Sequence, residues 1–418
     1  MSIRCMVQQT GDNDCTRICA TLQSDSDAGR ADNSSLSRGQ ALRPSDCRRV
    51  NVPVYGAMFI CTWPPRFSAL PGGPCGLTQW RDGRLQGANR RHKPAAPVIW
   101  ASMTTVYPYK FRPIFKHRLW GGQRLREVFG KDLPPDDTIG ESWELADLPR
   151  DKSVIVNGPL AGSTLAEALE QFGEEITGDE YYEGPFRLLI KLLDAQDILS
   201  VQVHPDVETC KRIGRGEPKT ECWYIIAAEP GACIYKGIRK GTTRRQFAAA
   251  IADGTVAGLL DKVYVEPGQC HYLPAGTAHS IGAGLLIAEI QTPSDTTYRA
   301  FDWNRVEADG RARPLHIDQA LESIHFDISA ADLPVTTVGR LVDCPYFKVD
   351  KGHQIGTAEV LLSPGGMEVL MFLSGSGRMV SQEAEPVVFA AGDTLLVPAI
   401  YEGVIRFSQD SEYLRVRL

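Results

Sequence analysis

The rhythm of apolar and polar positions along the chain changes near residue 103. Before it, no stretch sustains the period of two that marks a half-buried strand or the period near 3.6 of an amphipathic helix. From Val106 onward, short strand-like runs follow one another between turn residues: GESWELAD (140–147), KSVIVNG (152–158), RLLIKLLDA (187–195) and ILSVQVH (198–204). CIYKGI (233–238), KVYVEPGQCHYLPAGTAHSIG (262–282), LLIAEIQT (285–292) and TYRAFDW (297–303) continue the series, joined by Gly and Pro in the manner of a jelly roll. Helical spacing interrupts it twice, once after Ser163 as the expected N-cap of TLAEALEQF, with Glu167 placed for a capping box, and once through TTRRQFAAAIADG (242–254). A third helix is expected after Pro205. Beyond Pro334 come YFKVDKG, EVLLSPGG, EVLMFLSGSGRMV, GDTLLVPA and YLRVRL, a second, smaller set of strands.

Composition changes at the same place. Residues 1–102 hold 12 Arg and 1 Lys against 7 Asp and no Glu, a local excess of about six positive charges in a chain whose net charge is −6. They also hold six of the 11 cysteines, Cys5, Cys15, Cys19, Cys47, Cys61 and Cys75. An Arg-rich, Glu-free stretch without periodicity resembles wrong-frame translation, so residues 1–102 are expected to be disordered or not natively made, with Met103 as the start. A transit peptide also favours Arg but avoids acids, and Asp12, Asp14, Asp25, Asp27 and Asp32 are present. Residues 103–330 are then expected to form one lobe and residues 331–418 a second.

The whole chain, 418 residues with 43% hydrophobic and 23% charged content, falls in the range of packed globular enzymes. Its acidic balance carries no polyanion-binding footprint, and no apolar run approaches the roughly 20 residues that span a bilayer. Neither nucleic acid nor membrane is therefore an expected partner. The opening MSIRCMVQQTGDNDC lacks the basic start and apolar core of a secretory signal, so a cytoplasmic chain with reduced thiols is expected.

The strongest local signal is GQCHYLPAGTAHSIG, in which Gly268, Pro274, Gly276 and His279 follow the spacing G-x5-P-x-G-x2-H of the second cupin motif. Gly268 permits the turn between strands, while Pro274 and Gly276 shape a bend that aims His279 into a small barrel. Gln202 and His204, two apart on a strand, face the same side, and Glu221 opens the next strand. Two imidazoles, a carboxylate and an amide oxygen form a donor set that suits zinc, and iron or manganese would also fit. A lone strand histidine is more often structural than ligating, and His271 is read that way; the four together reverse the odds.

LSVQVHPD, PKTECWY, LPAGTAHSIG and EIQTPSDTTYRAFDWNR together resemble type I mannose-6-phosphate isomerases, particularly the short bacterial form, from about Tyr107 to the CPYFKVDKG and GDTLLVPA segments near the end. The resemblance implies a mainly β fold with two cupin-like jelly-roll lobes and a few helices inserted in the catalytic one. It further implies one zinc ion per chain on Gln202, His204, Glu221 and His279, an active-site arginine at Arg299, and a substrate-facing Lys219. Gln202 is the weakest of the ligands, since amides bind zinc poorly. The implied substrate is a phosphorylated hexose, mannose 6-phosphate or fructose 6-phosphate.

Moving a proton between C2 and C1 through a cis-enediolate needs a base and a stabiliser of developing negative charge. Glu289, ten residues before Arg299, is the first candidate for the proton transfer, and Lys219 is the competitor as base or phosphate anchor. Other cupin sugar-phosphate enzymes and a non-catalytic sugar-binding cupin are the alternatives. In the second lobe Gly392 and Pro398 repeat the start of the motif, but Ile400 and Gly403 stand where Gly276 and His279 would align. That lobe is read as a metal-free packing partner, and the sequence leaves the oligomeric state open.

Overall fold

The computed structural model describes residues 106–306 and 310–418, together with the backbone of two short antiparallel strands, Ile3–Met6 and Cys19–Leu22. The expectations for the remaining residues of 1–102 and for a start at Met103 lie outside the described residues.

Four antiparallel sheets make up the described body. A five-stranded sheet runs Leu260–Tyr264, Cys233–Ile238, His279–Ile281, Val201–Val203, Tyr298–Phe301. A seven-stranded sheet runs Val335–Thr336, Cys270–Leu273, Glu221–Ala228, Leu285–Gln291, Leu189–Ala195, Ile139–Leu145, Ile114–Gly122. Between them, Trp223, Ile225 and Ile287 of the larger sheet meet Ile234 and Ile281 of the smaller in one buried cluster. Three strands of the larger sheet, Ile139–Leu145, Leu189–Ala195 and Leu285–Gln291, are buried at every position. This is why LLIAEIQ and LLIKLLDA read as near-continuous apolar runs rather than alternating ones.

The other face of that sheet meets the carboxy-terminal strands. Cys222, Tyr224, Leu286 and Ile290 share a core with Leu341, Phe347, Val349 and Phe372. Leu341, Val349 and Phe372 belong to a six-stranded sheet, which with a four-stranded sheet is built mostly from residues 340–417. Two short strands cross over: Tyr109–Lys110 pairs with Thr394–Val397, and Val335–Thr336 pairs with Cys270–Leu273. Tyr224 adds a side-chain tie by donating its hydroxyl to Glu412 Oε1 at 2.5 Å.

The helices sit on the outside of the barrel. Phe247, Ala250 and Ile251 of helix Arg244–Ala252, with Ala320 and Leu321 of helix Ile317–Ser323, cover the outer face of the five-stranded sheet around Val201, Val203 and Ala300. Helix Leu165–Thr177 starts one residue later than the sequence suggests, with Thr164 rather than Ser163 as its N-cap and the capping box to Glu167 complete. The reason is local: the Thr164 hydroxyl, three residues before Glu167, accepts its backbone N–H, a contact worth about 1 kcal/mol. The third helix, Val207–Ile213, is capped by Asp206 directly after Pro205. KSVIVNG differs from expectation, making only isolated bridges at Lys152, Val154 and Ile155.

Candidate metal centre and active site

The candidate residues come from two facing sheets. Register places Arg299, Gln202, His279 and Lys236 side by side across four strands of the five-stranded sheet, since Gln202 lies opposite both His279 and Arg299, and His279 opposite Lys236. Directly paired residues share a face, so Gln202, His279 and Arg299 are neighbours on one wall. His204 follows at the end of the short strand Val201–Val203, where Pro205 has no N–H to continue the ladder. The opposite wall carries Glu221 at the start of its strand, with Glu289 opposite both Lys191 and Trp223.

The motif's bend fixes the two histidines relative to one another. Gly276 sits at φ 87°, and its N–H donates to the His204 carbonyl at 2.8 Å. A Cβ at Gly276 would lie 2.5 Å from the His325 ring, so both the backbone angle and the space require glycine.

His204, Glu221 and His279 gather ligand atoms within 4.8 Å of one another, all three side chains being buried. Nε2 of His204 lies 3.3 Å from Glu221 Oε2, and Nε2 of His279 lies 3.3 Å from Glu221 Oε1. Both Nε2 atoms and Glu221 Oε1 have no hydrogen-bond partner, and Glu221 Oε2 is met by the Lys219 ammonium. The other ring nitrogens are occupied: His204 Nδ1 donates to the Thr296 carbonyl at 2.9 Å and His279 Nδ1 to the Thr277 carbonyl at 2.8 Å. A carbonyl only accepts, so both rings carry their proton on Nδ1 and turn a bare Nε2 lone pair inward. Burial, reinforced by the Lys219 charge, pushes the His204 pKa down to about 4 despite Glu221, and burial also lowers that of His279. Burial alone would raise the Glu221 pKa, but Lys219 and the two histidines hold it well below the usual carboxylate range. Two neutral imidazoles and a carboxylate with orphaned, convergent atoms are the donor set a divalent cation completes.

Lys219 and Glu289 stand beside this cluster. Lys219 Nζ reaches Glu221 Oε2 at 2.9 Å and Glu289 Oε1 at 3.9 Å. Glu289 also takes an ion pair from Lys191 at 2.8 Å and a hydrogen bond from Trp223 Nε1 at 3.3 Å. A cleft of about 740 Å³ opens over these groups, lined by Gln202, Lys219, Glu289 and Arg299 among others. His271, although in the same motif, is fully buried and is not one of the three clustered side chains.

The sequence reading missed five charged residues that line the same cleft: Arg118, Glu141, Lys191, Asp295 and Arg313. Burial would raise the Glu141 pKa, but Lys191 and Arg118 bring it down to about 2; the Lys191 pKa is raised by Glu289 and Glu141 against the effect of burial. The available signal was a lone charge inside an apolar run, Lys191 in LLIKLLDA and Glu141 in IGESWEL. A buried lysine in the middle of a core strand calls for a buried acid nearby.

A family model for the catalytic domain of type I phosphomannose isomerases matches residues 109–236. Mannose-6-phosphate isomerase ManA of Bacillus subtilis is 39% identical over 310 residues, 70% of this chain and 94% of that protein. The mannose-6-phosphate isomerase of Streptococcus mutans is 37% identical over 289 residues, 67% of this chain and 89% of that one. The crystal structure of the mannose 6-phosphate isomerase from Bacillus subtilis overlays with a TM-score of 0.67 at 29% identity, covering 74% of this chain and 99% of that chain. With the fold, the histidine–carboxylate cluster and these relatives in agreement, this chain belongs to the type I phosphomannose isomerase family.

Proposed function

We propose that the chain interconverts mannose 6-phosphate and fructose 6-phosphate, using one zinc ion held by His204, Glu221 and His279 with Gln202 as a fourth ligand. The observation that carries this is the convergence of buried ligand atoms, Nε2 of both histidines and Glu221 Oε1 without hydrogen-bond partners and Glu221 Oε2 facing Lys219, next to a polar cleft lined by Gln202, Lys219 and Glu289. A mannose 6-phosphate isomerase of the same fold, 16% identical with a TM-score of 0.60, is described as zinc-bound. When bound, the metal supplies Lewis-acid polarisation of the sugar oxygens.

The protein groups divide the remaining work. Glu289, 4% exposed and aimed into the cleft, moves the proton between C2 and C1. Lys191 fixes its orientation through the 2.8 Å ion pair. Arg299, beside Gln202 on the opposite wall, brings a fixed positive charge to the oxyanion of the cis-enediolate. Its side chain is braced by donation to the Pro314 carbonyl at 2.9 Å. Lys219, held against Glu221, sets the charge around the ligand carboxylate and serves as the second candidate for proton transfer.

The test is a coupled assay of fructose 6-phosphate formed from mannose 6-phosphate, run on the full chain with chelator and after zinc is restored. Turnover abolished by chelation and recovered with zinc is the expected result. A folded, zinc-loaded protein without turnover would leave a sugar-binding cupin as the reading.

A further inference from the structure

The cleft has two chemically different ends. Five cationic side chains line it, Arg118, Lys191, Lys219, Arg299 and Arg313, against three carboxylates, Glu141, Glu289 and Asp295. The lysines are committed, Lys191 to Glu289 at 2.8 Å and Lys219 to Glu221 at 2.9 Å. The arginines are only partly so. Arg118 donates Nε to Glu141 at 2.8 Å and Nη1 to the His117 carbonyl at 3.1 Å. Arg313 donates Nε and Nη2 to Asp302 at 2.7 and 2.6 Å. Among the described residues, Nη2 of Arg118 and Nη1 of Arg313 have no partner, and Nε of Arg299 is buried without one.

Three guanidiniums in one cleft repel one another unless an anion joins them. They feel each other here: burial, then the charges of Arg313, Arg305 and Arg118, outweigh Asp302 and lower the Arg299 pKa. The surrounding bonds hold the arginines in place and neutralise them only in part, because Asp302 is shared between Arg313 and Arg305 and Glu141, the partner of Arg118, also lies in the field of Lys191. The guanidinium N–H groups left over after these pairings suit the oxygens of a phosphate monoester, which carries about −1.5 to −2 at neutral pH. Planar guanidinium forks suit its oxygens better than ammonium groups do.

We infer that Arg118 and Arg313 form the seat for the phosphate of the substrate, leaving Arg299, between that seat and the metal ligands, for the reacting end of the sugar. Arg118 comes from the edge strand Ile114–Gly122 of the seven-stranded sheet, and Arg313 from the segment leading into helix Ile317–Ser323, close to the edge strand of the other sheet. The seat therefore bridges the two sheet edges at the cleft. Lys219, 5% exposed and pressed against Glu221, lies on the metal-ligand side of the cleft and is not needed for this seat. The identity of the ester rests on the isomerase reading, whereas the anion site stands on the arginine geometry.

The test uses full-chain, zinc-loaded protein with inorganic phosphate as the probe, followed by calorimetry, alongside mannose 6-phosphate kinetics. Arg118→Gln and Arg313→Gln are each expected to weaken phosphate binding by about ten-fold or more. KM should rise by a similar factor, with kcat falling less, and Arg118→Lys should lie between wild type and Arg118→Gln. Arg313 also anchors Asp302, so its loss can disturb the fold; Arg118, on an edge strand and partly exposed, supplies the decisive variant. Unchanged phosphate affinity and KM in Arg118→Gln would overturn the seat, as would a wild-type protein that turns over substrate without binding phosphate at all. Phosphate binding that depends on Arg118 in a protein without isomerase activity would uphold the seat and sink the isomerase reading instead.

Discussion

The two lobes use one turn grammar and fill it with opposite chemistry. In the first, Gly268 at φ 91° and Gly276 at φ 87° frame a bend that delivers His279 to an interior containing Glu221, Lys219, Glu289 and Lys191. In the second, Gly392 at φ 87° opens the matching bend, but the side chains that follow are Ile400 and Gly403, which offer no ligand atom. The interior there is aromatic: Phe372 stacks on Phe389 with centroids 3.7 Å apart, and Phe407 and Tyr413 pack around them. The same sheet architecture can thus be packed solid or kept polar. The difference teaches where stability and function are separated: the first lobe buries charge mostly in mutual pairs, with Lys236 resting on the Leu333 carbonyl instead, while the second lobe gives its interior to packing.

The largest effect expected from breaking this contrast is at Glu221. Glu221→Gln removes the carboxylate that both histidines face and should lower turnover on the order of 10³-fold, several kcal/mol of transition-state stabilisation. Metal content measured on the purified variant should fall with it; full zinc occupancy would show that the ligand set is elsewhere. Glu289→Gln is expected to cost about 10²- to 10⁴-fold in kcat with zinc retained. Near-normal turnover would transfer the proton step to Lys219.

In the second lobe the expected readout is stability instead. Phe389→Ala empties one side of the aromatic stack and should destabilise by about 3–5 kcal/mol in denaturant unfolding. Turnover per folded molecule should keep its wild-type value. A loss of turnover without a loss of stability would mean that the second lobe shapes the site, against its assignment to packing.

Charge pairing in the first lobe also has a pH signature. Glu141 is held at about 2 by Lys191 and Arg118, so its contribution to stability is fully present above the usual glutamate range and is lost as pH falls from about 4.5 towards 2. Glu141→Gln should remove that part of the acid limb from the unfolding free energy. Parallel acid limbs for the two proteins would refute the pairing.

Much of this contrast was legible in the sequence, for identifiable reasons. Strand runs bounded by Gly and Pro placed most sheet strands, and CIYKGI matches Cys233–Ile238 residue for residue. Local parity put Gln202 and His204 on one face, and register now sets Gln202 beside His279. What local pattern could not supply was pairing across long separations. Lys191 meets Glu289 only because their strands are neighbours, 98 positions apart, and Arg118 and Arg313 share a cleft although they come from opposite ends of the lobe. KSVIVNG failed as a strand because its apolar alternation finds only isolated bridges, with no extended partner. Helices Arg124–Phe129 and Ile317–Ser323 are too short to show a sustained period.

The smallest expected effect compares one left-handed glycine from each bend, Gly276 near the histidine end of the first and Gly392 at the opening of the second. Gly276→Ala and Gly392→Ala both force a Cβ into left-handed backbone, and each new Cβ meets a neighbour too closely, the His325 ring at 2.5 Å in the first and Phe129 Cβ at 2.6 Å in the second. Each should lose about 1–3 kcal/mol of stability, similar in the two lobes. Only the first should also change catalysis, because the Gly276 N–H holds the His204 carbonyl at 2.8 Å and so fixes one metal-facing histidine against the other. Zinc affinity measured by competition with a chelator should fall in Gly276→Ala and stay unchanged in Gly392→Ala. Equal zinc affinities in the two variants would show that Gly276 is structural in the same sense as Gly392, and that the histidines are positioned by their carbonyl partners at Thr296 and Thr277 alone.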